Sequence, residues 1–404
     1  MCLERAGAVP LAVDIAIPDC KGDEAFLNAL LPHAPRIYSL RLTGHSSIEI
    51  AEDDLPSFFG APMLWLTSLE LQQTAEPVQL FPLIDSPVPS VFQNVSKLES
   101  LSLTQTPLYP ALFTIGSLVE LKLTGYTIPF QFDTFLGLLS SNPGLELVML
   151  DIQFVTGSVE ATSASRVVPL AHLRHLFITC SKPIDSRGLL SHIGLPRGVH
   201  IEVLFTQPTQ STELRSFLPS PLTPIWKLLA PITTIKTRNT PREIHYSGNS
   251  SELTLRSTEP TWRTPTELAL FPTTAVREFY ADLYPYQYVG SGVSHVFRCL
   301  PALETFAISK SVVPAGLLSA LTEEPVLCPT LKTIAFFDCA VDSDIAKKLE
   351  KAIAKRGDLT AARLYRVVIV SSTGTLPDLA SIQHLRRVVP CVEVRVDDKL
   401  PDLS

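Results

Sequence analysis

The chain has 404 residues, of which 46% are apolar and 18% charged, and its formal net charge is −7. This composition supplies a large core and excludes general disorder, which goes with low hydrophobicity and high charge. The acidic balance argues against broad binding to nucleic acids or anionic membranes, because both need clustered positive charge.

An eleven-residue pattern, L-x-x-L-x-L-x-x-polar-x-L, recurs along the chain. Copies of its first half begin at Ile37, Leu66 and Leu173, and longer copies begin at Leu98, Leu118, Leu145, Leu303 and Leu331. Such self-similarity indicates stacked repeats, and this pattern is that of leucine-rich repeats. The sequence therefore predicts an α/β leucine-rich-repeat solenoid, a horseshoe with a parallel concave sheet, outer helices and irregular repeats.

Helices and further strands are predicted around these repeats from hydrophobic periodicity. The first predicted strand is Leu11–Ile17. Predicted helices span Glu24–Leu31, Phe132–Leu139, Asp185–Ile193, Val293–Cys299, Pro314–Leu321, Asp344–Arg356 and Leu379–Val388. In Asp344–Arg356, Ser343 is the expected N-cap and Gly357 the expected left-handed stop. The chain is predicted to close with strands Leu364–Val370 and Val392–Val396, the second at an edge of the sheet.

The repeat register is blurred between residues 207 and 265, where Ser, Thr and Pro are abundant. Strand-like runs remain there at Ile232–Thr237, Arg242–Tyr246 and Leu253–Arg256. We interpret residues 1–206 as N-terminal repeats, 207–265 as degenerate repeats with a surface loop, and 266–404 as C-terminal repeats with a cap. The alternative is a boundary between two solenoid halves within the blurred segment.

Seven cysteines are scattered along the chain, with no Cys-x-x-Cys pair. Zinc ligation and a disulfide framework are not expected, and a reducing compartment fits best. The N-terminus lacks the basic start and apolar run of a secretory signal, and no stretch reaches the roughly 18 uninterrupted apolar residues of a membrane span. We expect a soluble, cytoplasmic or nuclear protein without membrane association.

Motifs that carry chemistry are absent from the sequence, including the phosphate-binding glycine loops, H-E-x-x-H and G-x-S-x-G. His172 and His175 have no third metal ligand nearby. Capping and solvation explain the cluster of Asp338, Asp342 and Asp344 better than calcium does, because no loop of regular acidic spacing follows. We therefore expect no enzyme, no cofactor and no metal.

The sheet surface is the remaining candidate site. In an L-x-x-L-x-L strand the leucines point into the core, and the third, fifth and seventh positions point outward on the concave face. The early outward positions are small and polar, whereas Leu147, Met149, His175 and Phe177 come together on neighbouring strands. Exposed apolar side chains on such a surface mark interaction patches. We predict that a protein ligand binds these four residues; the alternative is that a Pro/Thr-rich loop or a neighbouring segment covers them.

Several strands are preceded by Pro-x-Leu, most fully in Pro301-Ala302-Leu303-Glu304-Thr305-Phe306. With its degenerate repeats and proline-rich loops, the chain resembles the repeat region of the large fungal F-box protein family over nearly its whole length. The resemblance implies repeats that recruit substrates and an F-box that docks the Skp-type adaptor of a cullin ubiquitin ligase. The first predicted strand already begins at Leu11, so we expect no F-box, and the adaptor is a partner only if an F-box lies upstream.

The resulting hypothesis is a non-catalytic protein-binding scaffold that resembles the substrate-recruiting region of F-box proteins. The alternative is a substrate receptor of a cullin-type ubiquitin ligase whose F-box is missing from this chain. A third reading, an enzyme with an active site outside the known motifs, is disfavoured by the motif search.

Overall fold

A computed structural model provides the structure and divides the chain into two compact units, Met1–Glu202 (unit 1) and Val203–Ser404 (unit 2). The division of the sequence at residues 206 and 265 remains a prediction. The structure describes residues 7–17, 29–44, 61, 63–73, 95–105, 115–125, 131–151, 153–155, 158–161, 166–206, 217–219, 223–239, 242–248, 250–257, 273–282, 292–309, 313–360, 363–372 and 377–396.

Unit 1 is built on a sheet whose strands follow the order of the sequence. These strands are β1 (Leu11–Ile17), β2 (Ile37–Gly44), β3 (Ser68–Gln73), β4 (Ser100–Thr104), β5 (Glu120–Thr124) and β6 (Leu147–Asp151). Next come β8 (His175–Cys180) and β10 (His200–Phe205), whose residues 203–205 already belong to unit 2. Two short strands, β7 (Val168–Pro169) and β9 (Ile193–Gly194), each precede one of them in the sequence. From β1 to β8, neighbours in this sheet pair in parallel, and β7 and β9 form a separate parallel pair.

The repeat leucines fill the core of unit 1. Leu69, Leu101, Leu121 and Val148 occupy the same repeat position, lie side by side across the parallel strands, and are fully buried. Each contributes about 2 kcal/mol by removing apolar surface from water. Burial alternates along β4, β5 and β6, as the pattern predicts. The predicted α/β leucine-rich-repeat architecture is thereby confirmed.

Helices follow some of these strands. They are α1 (Phe132–Ser141), α2 (Ser158–Ala161) and α3 (Pro183–His192), and a 3-10 turn (Leu31–Arg36) precedes β2. The apolar side of α1 is buried, as its helical spacing predicts. Just after α1, the buried Asn142 side chain accepts from Leu118 N at 3.0 Å and donates to Leu138 O at 2.9 Å, which ties the helix to the preceding repeat. Most of the predicted helix Glu24–Leu31 lies outside the described residues.

Unit 2 also carries parallel strands in sequence order, but an antiparallel meander precedes them. Its strands are β11 (Thr234–Asn239), β12 (Arg242–Gly248), β13 (Ser251–Ser257), β14 (Glu278–Asp282), β15 (Thr305–Ser309), β16 (Thr333–Phe337), β17 (Arg366–Ser371) and β18 (Cys391–Val396). Strands β14 to β18 pair in parallel, and β11 pairs in parallel with β14. As predicted, β18 is at an edge of the sheet.

The meander explains why the repeat register is blurred. Strands β11, β12 and β13 coincide with the strand-like runs of the sequence and pair antiparallel. Only residues 240–241 connect β11 to β12, and only 249–250 connect β12 to β13. Such short connections allow hairpins, because a parallel crossover needs about a dozen residues or more.

The helices of unit 2 are α4 (Thr223–Leu229), α5 (Gly292–Cys299), α6 (Ala315–Leu321), α7 (Ser343–Leu359) and α8 (Leu379–Arg386). Two expectations about α7 are wrong. Its N-cap is Asp342, whose carboxylate accepts from Ile345 N at 2.8 Å, so Ser343 already lies inside the helix. The helix also continues through Gly357 to Leu359, because its residues keep right-handed geometry there.

Candidate protein-binding surface

The side chains at the outward repeat positions of unit 1 form one side of its sheet, here called the outward face. The parallel register aligns them in rows. One row contains Arg41, Glu70, Ser102, Lys122, Met149 and Phe177, and the row beside it contains Ser39, Ser68, Ser100, Glu120, Leu147 and His175. All of these side chains are half-buried or exposed. The outward face is therefore accessible to a partner along these rows.

Its first strands carry polar groups that pair with one another. Arg41 Nε lies 3.5 Å from Glu70 Oε1 across β2 and β3. On β5, Lys122 Nζ lies 3.6 Å from Glu120 Oε2, which also accepts from Ser100 Oγ at 3.2 Å. Exposed pairs of this kind contribute only about 0–1 kcal/mol to stability. At the described outward positions of β2 to β5, no side chain is large and apolar.

The four predicted site residues lie together on β6 and β8. Leu147 is the ladder partner of His175, and Met149 is the ladder partner of Phe177. His175 is exposed and the other three are half-buried. We call these four residues the ligand patch. The structure thus places them next to one another on the outward face, and their role in binding remains a prediction.

The sequence analysis does not predict one neighbour of this patch. His200, on β10, places its ring centroid 6.0 Å from that of His175 and 6.1 Å from that of Phe177. The rings of His175 and Phe177 are themselves stacked, with centroids 6.2 Å apart. Alternating apolar residues at 199, 201, 203 and 205 were the available signal for this strand. On the side of β8 and β10, the patch therefore carries three neighbouring aromatic rings, those of His175, Phe177 and His200.

Charged groups border these rings. Arg174 Nε, at the start of β8, lies 3.3 Å from Glu146 Oε2. On β10, Glu202 Oε2 lies 4.0 Å from His200 Nε2. Asp151, at the end of β6, accepts from Gly125 N through Oδ2 at 3.2 Å. The apolar centre of the patch is therefore surrounded by ionisable side chains.

Part of the corresponding face of unit 2 is buried. On β15, β16 and β17 the first outward positions, Thr305, Thr333 and Arg366, are half-buried. The later outward positions are buried, and the apolar ones among them form a second cluster, against which the half-buried Tyr280 packs. This cluster contains Ala307, Ala335, Phe337, Val368 and Val370. His245, Thr254 and Glu243 of the meander are buried too. His245 Nδ1 lies 2.9 Å from Thr254 Oγ1, and the half-buried Arg256 donates from Nε to Glu243 at 2.8 Å. The accessible candidate surface is that of unit 1.

The buried thiols of Cys180 and Cys328 are not activated as nucleophiles. Burial raises the pKa of Cys180 to about 12 and that of Cys328 to about 12, the opposite of what a nucleophile needs. Within the described residues, no three His, Cys, Asp or Glu side chains are grouped to hold a metal ion. Of the helices described, none is both long and apolar enough to cross a membrane.

The parallel strand register of β1 to β8 and of β14 to β18 is that of a leucine-rich-repeat fold. No family model and no curated protein matches it. Among solved structures, it is similar to an internalin from Listeria monocytogenes, at 11% identity over 98% of this chain and 89% of that chain, with a TM-score of 0.35. It is also similar to the leucine-rich repeat-containing protein LegL7 from Legionella pneumophila, at 11% identity over 93% and 97% of the chains, with a TM-score of 0.27. A protein from Bacteroides fragilis shares 9% identity over 95% and 74%, with a TM-score of 0.24.

Proposed function

We propose that the chain is a non-catalytic repeat scaffold that binds another protein through the ligand patch. The observation that carries this proposal is the accessibility of Leu147, Met149 and Phe177 on the outward face of unit 1. In unit 2, the positions on β15, β16 and β17 that correspond to Met149 and Phe177 are buried, whereas those that correspond to Leu147 are half-buried. Covering such side chains with a partner contributes about 25 cal/mol for each Å² of apolar surface removed from water.

The support beneath the patch suits tight binding. Val148, between the two patch residues of β6, is fully buried on the core side of the sheet, and Leu176 on the next strand is fully buried as well. The backbone of a hydrogen-bonded sheet is already ordered, so a partner that binds it need not order a loop. Stacking of His175 against Phe177 orients both rings further. A large aromatic and a methionine side by side are typical central anchors of a protein interface.

The resemblance to fungal F-box proteins supports a finer proposal, namely that the captured protein is a substrate for ubiquitylation. In that case an F-box encoded upstream would dock the Skp-type adaptor. Reading the 5′ end of the transcript and coexpressing the full gene product with the adaptor test this proposal. Copurification of the adaptor supports ligase recruitment, and a transcript without an F-box leaves a stand-alone scaffold.

The experiment that tests protein binding compares Met149→Ser, Phe177→Ser and the double variant with the unmodified chain in quantitative affinity capture. A central anchor contributes about 2 kcal/mol or more, so we expect each single variant to weaken capture about 30-fold. Tyr365→Ser is the matched control, because Tyr365 is an aromatic residue of unit 2 that is 60% exposed. Thermal unfolding verifies that all variants fold.

Partners lost from both patch variants but kept by the Tyr365→Ser control would support the proposal. An unchanged set of partners across folded variants would overturn it.

A further inference from the structure

The charge of unit 1 restricts the kind of partner that fits its outward face. Residues 1–202 contain 11 Lys and Arg against 20 Asp and Glu, a formal net charge of −9. Residues 203–404 contain 22 against 20, a formal net charge of +2. The acidic balance of the chain therefore lies in the unit that carries the ligand patch. Long-range attraction favours a positively charged partner there.

The ionisable groups beside the ligand patch also carry a net negative charge. Within the part of the chain that the structure describes, Lys122 and Arg174 are the basic groups beside the patch, and each lies within ion-pair distance of a carboxylate, that of Glu120 and that of Glu146. Two more carboxylates, those of Asp151 and Glu202, lie on outward positions beside the rings. With neutral histidines, these six groups sum to a formal charge of −2, four acids against two bases. An acidic partner segment would meet net repulsion at this site.

The aromatic rings supply a second feature that suits a cation. The rings of His175, Phe177 and His200 form a contiguous group whose centroids lie 6.0 to 6.2 Å apart. A Lys or Arg side chain over the face of Phe177 gains about 0.5–1 kcal/mol at an exposed site and more when water is excluded. Next to the rings, Leu147 and Met149 offer an apolar surface for a neighbouring side chain.

Resting on the proposed function, we propose that the ligand patch binds a partner segment that presents a Lys or Arg beside an apolar residue. The cation lies over the aromatic rings and near the carboxylates of Asp151 and Glu202. The apolar residue packs on Leu147 and Met149. The charge of unit 1 steers the segment, and the rings and carboxylates select it.

The test uses the full chain, immobilised, and a phage library that displays random 12-residue peptides. We expect the recovered peptides to be enriched in Lys and Arg next to apolar residues. The combined Asp151→Asn and Glu202→Gln variant should weaken binding of the recovered peptides about threefold to tenfold. Asparagine at position 151 keeps an oxygen that can accept from Gly125 N, so the change removes charge while preserving the hydrogen bond.

A matched control removes two carboxylates of unit 1 away from the patch, through Asp133→Asn and Glu99→Gln. Asp133 pairs with Arg166 on the surface at 2.9 Å, and Glu99 is exposed. Binding should remain within about a factor of two in this control, because neither carboxylate is on β6, β8 or β10 and exposed charges are screened by salt. Equal weakening by both double variants would show that net charge alone acts, and would overturn the local recognition proposed here.

The remaining outcomes separate this inference from the proposed function. Neutral or acidic peptides whose binding is lost in Phe177→Ser would overturn the basic-partner inference and leave the binding function standing. Peptides insensitive to both Met149→Ser and Phe177→Ser would count against both. Concentration-dependent dimers in analytical ultracentrifugation that disappear in Phe177→Ser would make a second copy of the chain the occupant, and would overturn the inference.

Discussion

Asp338 and Ser372 join the ends of two neighbouring strands of unit 2 through two hydrogen bonds. Ser372 N donates to Asp338 Oδ1 at 2.6 Å, and Ser372 Oγ donates to Oδ2 at 2.7 Å. Asp338 follows β16 with a φ of 51°, in the left-handed region that Asp tolerates better than most residues. Gln105 and Gly125 have φ angles of 54° and 70° just after β4 and β5, so left-handed residues also follow strands of unit 1.

This pairing predicts a graded loss of stability at position 338. Asp338→Ala removes both hydrogen bonds and leaves a poorly suited residue in a left-handed turn, so the free energy of unfolding should fall by about 2–3 kcal/mol. Asp338→Asn should lose about half as much, because Asn tolerates the turn and keeps one acceptor. Ser372→Ala, which removes only the hydroxyl bond, is the comparison for a single bond, at about 1 kcal/mol. Urea denaturation measures all three, and an alanine variant as stable as the asparagine variant would contradict the prediction.

Two glycines should respond in opposite directions to the same substitution. A Cβ at Gly248, the last residue of β12, would lie 2.3 Å from the backbone carbonyl oxygens of both Leu229 and Pro231. Gly248→Ala should therefore lower the free energy of unfolding by about 3 kcal/mol through overpacking. At Gly137, inside α1, a Cβ meets no atom within 4 Å, so Gly137→Ala should raise stability by up to about 1 kcal/mol. Thermal unfolding of the two variants checks both signs.

The repeat strands were predictable because their pattern reports burial directly. Leu101 and Leu121 are each followed by a second leucine two residues later. Alternation of this kind indicates a strand with one buried face. The start of α7 was harder to predict, since Asp342 and Ser343 are both good N-caps and only backbone geometry decides between them. Helix caps and turns depend on a few backbone dihedral angles, which the hydrophobic periodicity of a sequence does not predict.

Accessibility of the sheet faces could not be predicted from the strands. Met149 and Phe337 are large apolar residues at outward positions, and nothing in their local sequence distinguishes them. Met149 is half-buried, whereas Phe337 is only 8% exposed. Burial of a sheet face is decided by packing between residues distant in sequence, while the alternation of a strand predicts only which side a residue faces. The sequence therefore predicts which residues face outward, and only the structure shows which of them are accessible.

Thiol labelling should separate the cysteines by burial. Cys180 and Cys328 are both 2% exposed, and burial raises the pKa of each to about 12. Because the thiolate is the reactive form, iodoacetamide at pH 8 should alkylate them on the order of 1,000-fold more slowly in the folded chain than in the unfolded chain. Cys391, which is half-buried at the sheet edge, is the internal reference. Peptide mass spectrometry follows each site, and labelling of Cys328 as fast as Cys391 in the folded chain would contradict the burial.

The edge strand β18 should make the stability of unit 2 depend on acid pH. Glu393 accepts from Arg366 at 2.8 Å and from Arg395 at 2.5 Å, and these contacts hold its pKa at about 2, below its ordinary value of 4.5. A lowered pKa in the folded state stabilises the fold above about pH 4.5, and this contribution disappears as the pH falls towards about 2.

Glu393→Gln should therefore unfold at lower urea concentration than the unmodified chain at pH 6, and the difference should shrink to nothing near pH 2. The effect should be small and should weaken with salt, because the group is at the surface. Glu324→Gln, at an exposed position, controls for the loss of one acidic charge. A Glu393→Gln difference that is constant across this pH range would show that the side chain acts through packing, not through its charge.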